Sequence, residues 1–273
     1  MKQVNIQRLL GQSALYDFSP RVSRAAVEKY WELRNWASRG NRDLFEFSPD
    51  VYFVWIPKVA GSSITRWLRK SSGVLELLNV ARALSVTKEQ LNSNKALTIG
   101  HQSSDSLIRI GLLDPEKIER SWSFAVVRNP FSRVASVWKY LIKKRTISPS
   151  TTIDDFVDNL LTEQPRIGLY NQHGLSMASP MVQWVNQNHW LGPKEIFRIE
   201  DFSSPEVVET LRDRLETIGP IPSSNVSPPS TNHTSIRKET LKKIIEFYQE
   251  DFEQFGYSPE DPAVLFSSLK PGS

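Results

Sequence analysis

A parallel β-sheet flanked by helices, an α/β fold, is what this sequence predicts, and three observations predict it. Apolar runs of strand length alternate with stretches of helical period, and each run closes on Pro, Gly, Ser or Asn. Two of them, Val51–Ser63 (VYFVWIPKVAGSS) and Phe124–Ser136 (FAVVRNPFSRVAS), repeat one order of apolar strand, chain-breaking residue, cation and helix start, with Lys58 and Arg128 standing 70 positions apart. The 273 residues are 39% hydrophobic and 10% aromatic, which is ample for one large core.

The elements follow in order. Residues 1–45, polar and Arg-rich with scattered aromatics such as Trp31 and Trp36, read as an irregular helical lead-in, and 46–260 as the main domain. Val51–Ile56 is a strand, and Ser62–Lys70 a helix with Ile64, Trp67 and Leu68 on one face. Leu97–Ile99 is a short strand and Trp122–Val127 a longer one. Asn129 then caps a helix that has Pro130 in its first turn and runs to about Lys144. Glu195–Ile199 is a further strand. The next helix has Ser204 as N-cap and Pro205 at its first position, turns Val208, Leu211, Leu215 and Ile218 inward, and closes on Gly219. Ser148–Gly174 and Pro220–Thr234 read as loops. One last helix, Ile236–Phe255, repeats Leu241, Ile244, Ile245, Tyr248, Phe252 and Phe255 at helical spacing before a tail, 261–273.

Composition narrows the function. A net charge of +4 is too small and too interspersed to imply a nucleic-acid partner. With no cysteine there is no disulfide, no thiolate metal site and no cysteine nucleophile, which also argues against an oxidising compartment. Met1–Arg24 is interrupted by Lys2, Gln7, Arg8, Gln12 and Asp17 and offers no signal or anchor, so a cytoplasmic protein without stable membrane insertion is expected.

Both repeated runs have the chemistry of an anion site. In the first, Pro57 ends the strand, Lys58 brings a point charge to the loop, Gly61 permits close approach of the backbone, and Ser62 and Ser63 offer hydroxyl and N–H groups where a helix begins. This is no Walker A loop, because the Lys precedes the only Gly by three positions. In the second, Arg128 ends the strand with a guanidinium suited to fork onto a phosphate. Along the helix, Ser132, Ser136, Lys139 and Lys143 line the face opposite Phe131, Val134, Ala135, Trp138, Leu141 and Ile142. Two anion sites at the carboxyl edge of one parallel sheet imply a ligand with phosphates at both ends.

These residues carry a resemblance. Ile56–Ser63 resembles the 5′-phosphosulfate loop of sulfotransferases that use 3′-phosphoadenosine 5′-phosphosulfate (PAPS), in particular the carbohydrate type that includes the heparan 2-O-sulfotransferases and bacterial relatives. Val127–Ser136 is similar to that family's 3′-phosphate loop. Gly100-His101, the Gln183-Trp184 region, Phe197–Phe202 and Tyr248–Tyr257 extend the likeness over about residues 51–257. Val59 and Ser62 stand where Thr is commoner, and Arg237-Lys238 is a loose counterpart of the family's C-terminal basic segment.

The resemblance implies a P-loop-like sulfotransferase fold and sulfuryl transfer from PAPS to a hydroxyl of a carbohydrate-like acceptor, releasing 3′-phosphoadenosine 5′-phosphate (PAP) without a metal. Lys58 would contact the bridging oxygen and stabilise the departing phosphate, with Ala60, Gly61, Ser62 and Ser63 around the 5′-phosphate. Arg128 and Ser136 would hold the 3′-phosphate, with Arg237 added from the basic segment. His101, emerging after the strand Leu97–Ile99, is the candidate base, in competition with His173, His189 and His233. Glu200 and Asp201 look like a carboxylate pair, but a carboxylate beside a doubly phosphorylated ligand repels it, so Glu200 is expected to orient Arg or backbone groups. A kinase with an atypical phosphate loop and a non-catalytic nucleotide- or sulfosaccharide-binding relative are the alternatives. The acceptor would be set by the Ser148–Gly174 and Pro220–Thr234 loops.

Overall fold

The computed structural model describes residues 47–71, 73–77, 87–101, 103–109, 113–162, 175–186, 192–215 and 236–262. The expected lead-in, the Pro220–Thr234 loop, His173, His189 and His233 lie outside them, as does the tail from 263 onward. Five strands form one fully parallel sheet: β1 (Val51–Val54), β2 (Val74–Leu77), β3 (Ala96–Ile99), β4 (Trp122–Val127) and β5 (Glu195–Arg198), in the order β2-β3-β1-β4-β5. Every β1 residue is buried and five of the six in β4 are, as continuous apolar strands covered on both faces should be. Registers such as Val54 with Ala125 on β4 and Tyr52 with Leu97 on β3 put the carboxyl ends of β3, β1 and β4 side by side.

The helices are α1 (Gly61–Ser71), α2 (Lys88–Asn92), α3 (Ser104–Arg109), α4 (Pro115–Arg120), α5 (Pro130–Lys143), α6 (Ile153–Thr162), α7 (Val182–Val185), α8 (Pro205–Leu215), α9 (Lys238–Phe247) and α10 (Gln249–Phe255). The expected caps operate: Asn129 Oδ1 accepts from Phe131 N–H at 2.9 Å, and Ser204 Oγ accepts from Val207 N–H at 3.3 Å. One core lies around the sheet. A second is built from α5, α6, α9, α10 and the Met177-Ala178 corner. Among the described residues no helix is long and apolar enough to cross a membrane.

Three expectations need correction. Val74–Leu77 is an edge strand that the expected elements lack; it is only four residues long and follows directly on Gly73, which turns the chain at φ +65 after α1. The Ser148–Gly174 stretch is not all loop, since it contains α6. Thr152 and Asp155 cap that helix reciprocally, and Ile153, Phe156 and Val157 are buried on the second core. The single C-terminal helix is two, α9 and α10, broken at Tyr248. Tertiary contacts place the break: the Tyr248 hydroxyl donates to Ala178 O at 2.6 Å, and buried Asp251 accepts from the Met181 and Val182 N–H groups. The apolar spacing survives because N–H bonds from Tyr248 to Ile244 O and from Phe252 to Tyr248 O bridge the break.

Candidate active site

The loop that leaves β1 is wound unusually for residues with a Cβ. Lys58 and Ala60 both have positive φ, 67° and 66°, in the left-handed region that costs an L-residue on the order of 1 kcal/mol or more each. Left-handed residues spaced this way turn successive N–H groups toward one concavity, the form that binds anions. The first bonds of α1, Ser63 N–H and Ile64 N–H to Ala60 O at 2.9 and 3.2 Å, then set the N-terminus of an eleven-residue helix behind that concavity. Ser62 is exposed at this end and Ser63 is buried.

Gly61 serves a different end from the close ligand approach its sequence suggests. A Cβ there would lie 1.7 Å from Trp55 Nε1 and 2.2 Å from Cδ1, so the space above its Cα is filled by the indole. Trp55 in turn abuts His101, with ring centroids 5.0 Å apart, and its backbone hydrogen-bonds the imidazole. His101 follows β3 with φ 54°, so the same sheet edge carries it beside the Lys58 loop. Burial, reinforced by the charge on Lys58, pushes the His101 pKa down to about 4, leaving the ring neutral at pH 7.

Lys58 is half-buried and points its ammonium at the Tyr140 ring of α5, with Nζ 4.2 Å from the centroid. Burial lowers its pKa to about 8, and Arg128 and Lys143 push it the same way. Arg128 leaves the end of β4, the strand adjacent to β1, and among the described residues its guanidinium makes no hydrogen bond and no ion pair. Burial also lowers the pKa of Arg128, with Glu200 opposing. Glu200 does orient a backbone group: Oε1 accepts from Asn129 N–H and Oε2 from the Tyr257 hydroxyl, each at 2.9 Å. The Tyr257 phenol is held protonated by burial and by that carboxylate.

The two predicted cations therefore converge, along with His101 and the Ala60–Ser63 turn. Ser136 lies half-buried on α5, one turn from Tyr140 and two from Lys143, and so shares the helix face that meets Lys58. Arg237 does not join this group: its exposed guanidinium is taken up by Asp154 and Asp158 of α6. Sequence reasoning missed Arg133 and Tyr140, which it assigned to neither face of α5. Arg133 is 1% exposed, donates to Pro57 O at 3.2 Å, Ser179 O at 2.9 Å and Met177 O at 2.9 Å, and thereby braces the residue before Lys58. Helical spacing holds no signal for an arginine buried all round. Tyr140 was findable, at four positions from Ser136.

Among the described residues no group of three or more His, Asp or Glu side chains is placed to hold a metal ion. A family model described as the sulfotransferase family matches residues 48–258. A crystal structure of a sulfotransferase from Alicyclobacillus acidocaldarius aligns at 13% identity over 81% of this chain and 95% of that one, with a TM-score of 0.41, a likeness too distant to add to what the sheet itself establishes. No curated protein matches.

Proposed function

The chain belongs to the sulfotransferase family, and from that premise we propose that it moves a sulfuryl group from PAPS to a hydroxyl of a carbohydrate-like acceptor, releasing PAP. One observation carries the reading: adjacent parallel strands deliver Lys58 and Arg128 to the same sheet edge, where burial lowers the pKa of both, Arg128 lowers that of Lys58 further, and among the described residues neither makes an ion pair. Burying like charges together costs folding free energy, and a polyanion offsets that cost. The left-handed pair at Lys58 and Ala60 adds a cradle of backbone N–H groups that suits the residues to such a ligand.

In this reading Ala60, Gly61, Ser62 and Ser63 hold the 5′-phosphate through N–H and hydroxyl groups, while Arg128 and Ser136 hold the 3′-phosphate. When bound, PAPS supplies an activated sulfuryl group on a phosphate leaving group. Lys58 stabilises the charge that grows on the bridging oxygen as the S–O bond breaks. His101 takes the acceptor hydroxyl proton as the new O–S bond forms. A ring with a pKa of about 4 is neutral and ready but a weak base, and negative charge brought beside it shifts it toward the useful range. Freedom from cysteine is in keeping with a cytoplasmic setting.

The test is calorimetric titration of PAP followed by transfer of labelled sulfate from PAPS across an acceptor panel. Failure to bind PAP removes the proposal, and binding without transfer across a broad panel turns it into a nucleotide binder. Transfer that persists unchanged in His101→Ala removes His101 as base.

A further inference from the structure

We propose that Tyr140 is a positioning residue that seats the Lys58 ammonium on the face of its ring, holding the catalytic cation at the mouth of the phosphate loop; the catalytic part of this rests on the function proposed above. Lys58 Nζ stands 4.2 Å from the Tyr140 centroid, and among the described residues it makes no hydrogen bond and no ion pair. The charged neighbours that act on it are unfavourable: Arg128 from the end of β4 and Lys143 from α5. His101 faces it from the end of β3 as a neutral ring. Lys144 lies over the same ring at 5.8 Å. Among the described residues the electron-rich ring face is thus the one attractive electrostatic partner for a desolvated ammonium.

The backbone of the same loop is tied to the same helix. Arg133, two turns before Tyr140 on α5, donates to Pro57 O, and Pro57 directly precedes Lys58. α5 therefore grips the loop at the backbone through Arg133 and at the charge through Tyr140. A ring in this place also keeps Lys58 protonated against the pull of burial and of two neighbouring cations, Arg128 and Lys143. That matters for a group whose proton has to be present when the leaving group develops charge.

The experiment uses the full chain, reductively methylated with ¹³C-formaldehyde, with the Lys58 signal assigned by its loss in Lys58→Arg. In the wild type the Lys58 methyl signals are expected upfield of the other lysines, shifted by the ring current, and to titrate near pH 8. Tyr140→Phe preserves the ring face and should keep both properties, whereas Tyr140→Leu should lose the upfield shift and titrate lower. Calorimetry with PAP at pH 8.5 should show affinity reduced about three- to fivefold in Tyr140→Leu and restored in Tyr140→Phe. A wild-type Lys58 signal without an upfield shift overturns the inference, and needs no variant to fold. So does an unchanged Lys58 titration in Tyr140→Leu, or a Phe variant as impaired as Leu. If PAP does not bind the wild type, the functional reading falls, while the methyl shift still decides the ring contact.

Discussion

Replacing Lys58 with Met should make the ligand-free protein more stable. The ammonium is half-buried among like charges, and its pKa falls from 10.5 to about 8. A shift of this size corresponds to about 3 kcal/mol of unfavourable free energy for the charged form in the folded state. The ring contact with Tyr140 returns about 1 kcal/mol of it, leaving a net penalty of about 2 kcal/mol. Met keeps the apolar stem and drops the charge. For a chain of this size, about 2 kcal/mol corresponds to a rise of roughly 4–8 °C in melting temperature.

The pH dependence gives the sign an independent check. Because the folded-state pKa lies below the unfolded one, the unfolded chain binds more protons between about pH 8 and 10.5. Wild-type stability therefore rises across that window relative to the variant. The advantage of Lys58→Met should be complete below pH 8 and gone by about 10.5. Differential scanning calorimetry of both proteins at low salt, from pH 7 to 10.5, measures this. A variant less stable than wild type at pH 7, or an advantage that does not change with pH, refutes the claim that Lys58 is a strained cation awaiting an anion. In the same instrument PAP should raise the wild-type melting temperature and leave the variant's nearly unmoved.

Further outcomes follow from the same geometry. PAP affinity should be flat below pH 8 and fall by up to tenfold per pH unit above it, because binding restores a proton to Lys58; calorimetry in buffers of different ionisation enthalpy would register the proton uptake. Gly61→Ala should cost about 1–3 kcal/mol of stability by driving a methyl into the Trp55 indole, and Trp55→Ala in the same chain should recover part of it, as read by urea unfolding. Arg128→Lys keeps the charge but loses the two-pronged fork, so PAP should bind roughly tenfold more weakly while the fold is unaffected; equal affinity would place the 3′-phosphate elsewhere.

Much of the frame was legible because it is written in local pattern. Trp122–Val127 coincides with β4 end to end, and the caps at Asn129 and Ser204 announce α5 and α8 through residue types that favour those positions for local reasons. A strand of four residues or a helix of five carries few periods to mark it, and β2 and α2 have no more than that. The α6 start had a readable signal in Thr152 and Asp155, overlooked within a stretch taken for loop. The break at Tyr248 had none, because it answers to Ala178, about seventy positions away in sequence.

By itself the sequence determined that two loops with the chemistry to hold anions would leave the carboxyl ends of parallel strands. That information is local, residing in an apolar run, a breaker, a cation and a capping residue in order. Only the tertiary structure decided that β1 and β4 are neighbours. It alone made Gly61 a slot for Trp55, bound Arg237 to two carboxylates, and set Arg133 and Tyr140 against the phosphate loop. Those are contacts between residues far apart along the chain, chosen by packing and desolvation once the sheet has formed, and no spacing within a single segment encodes them.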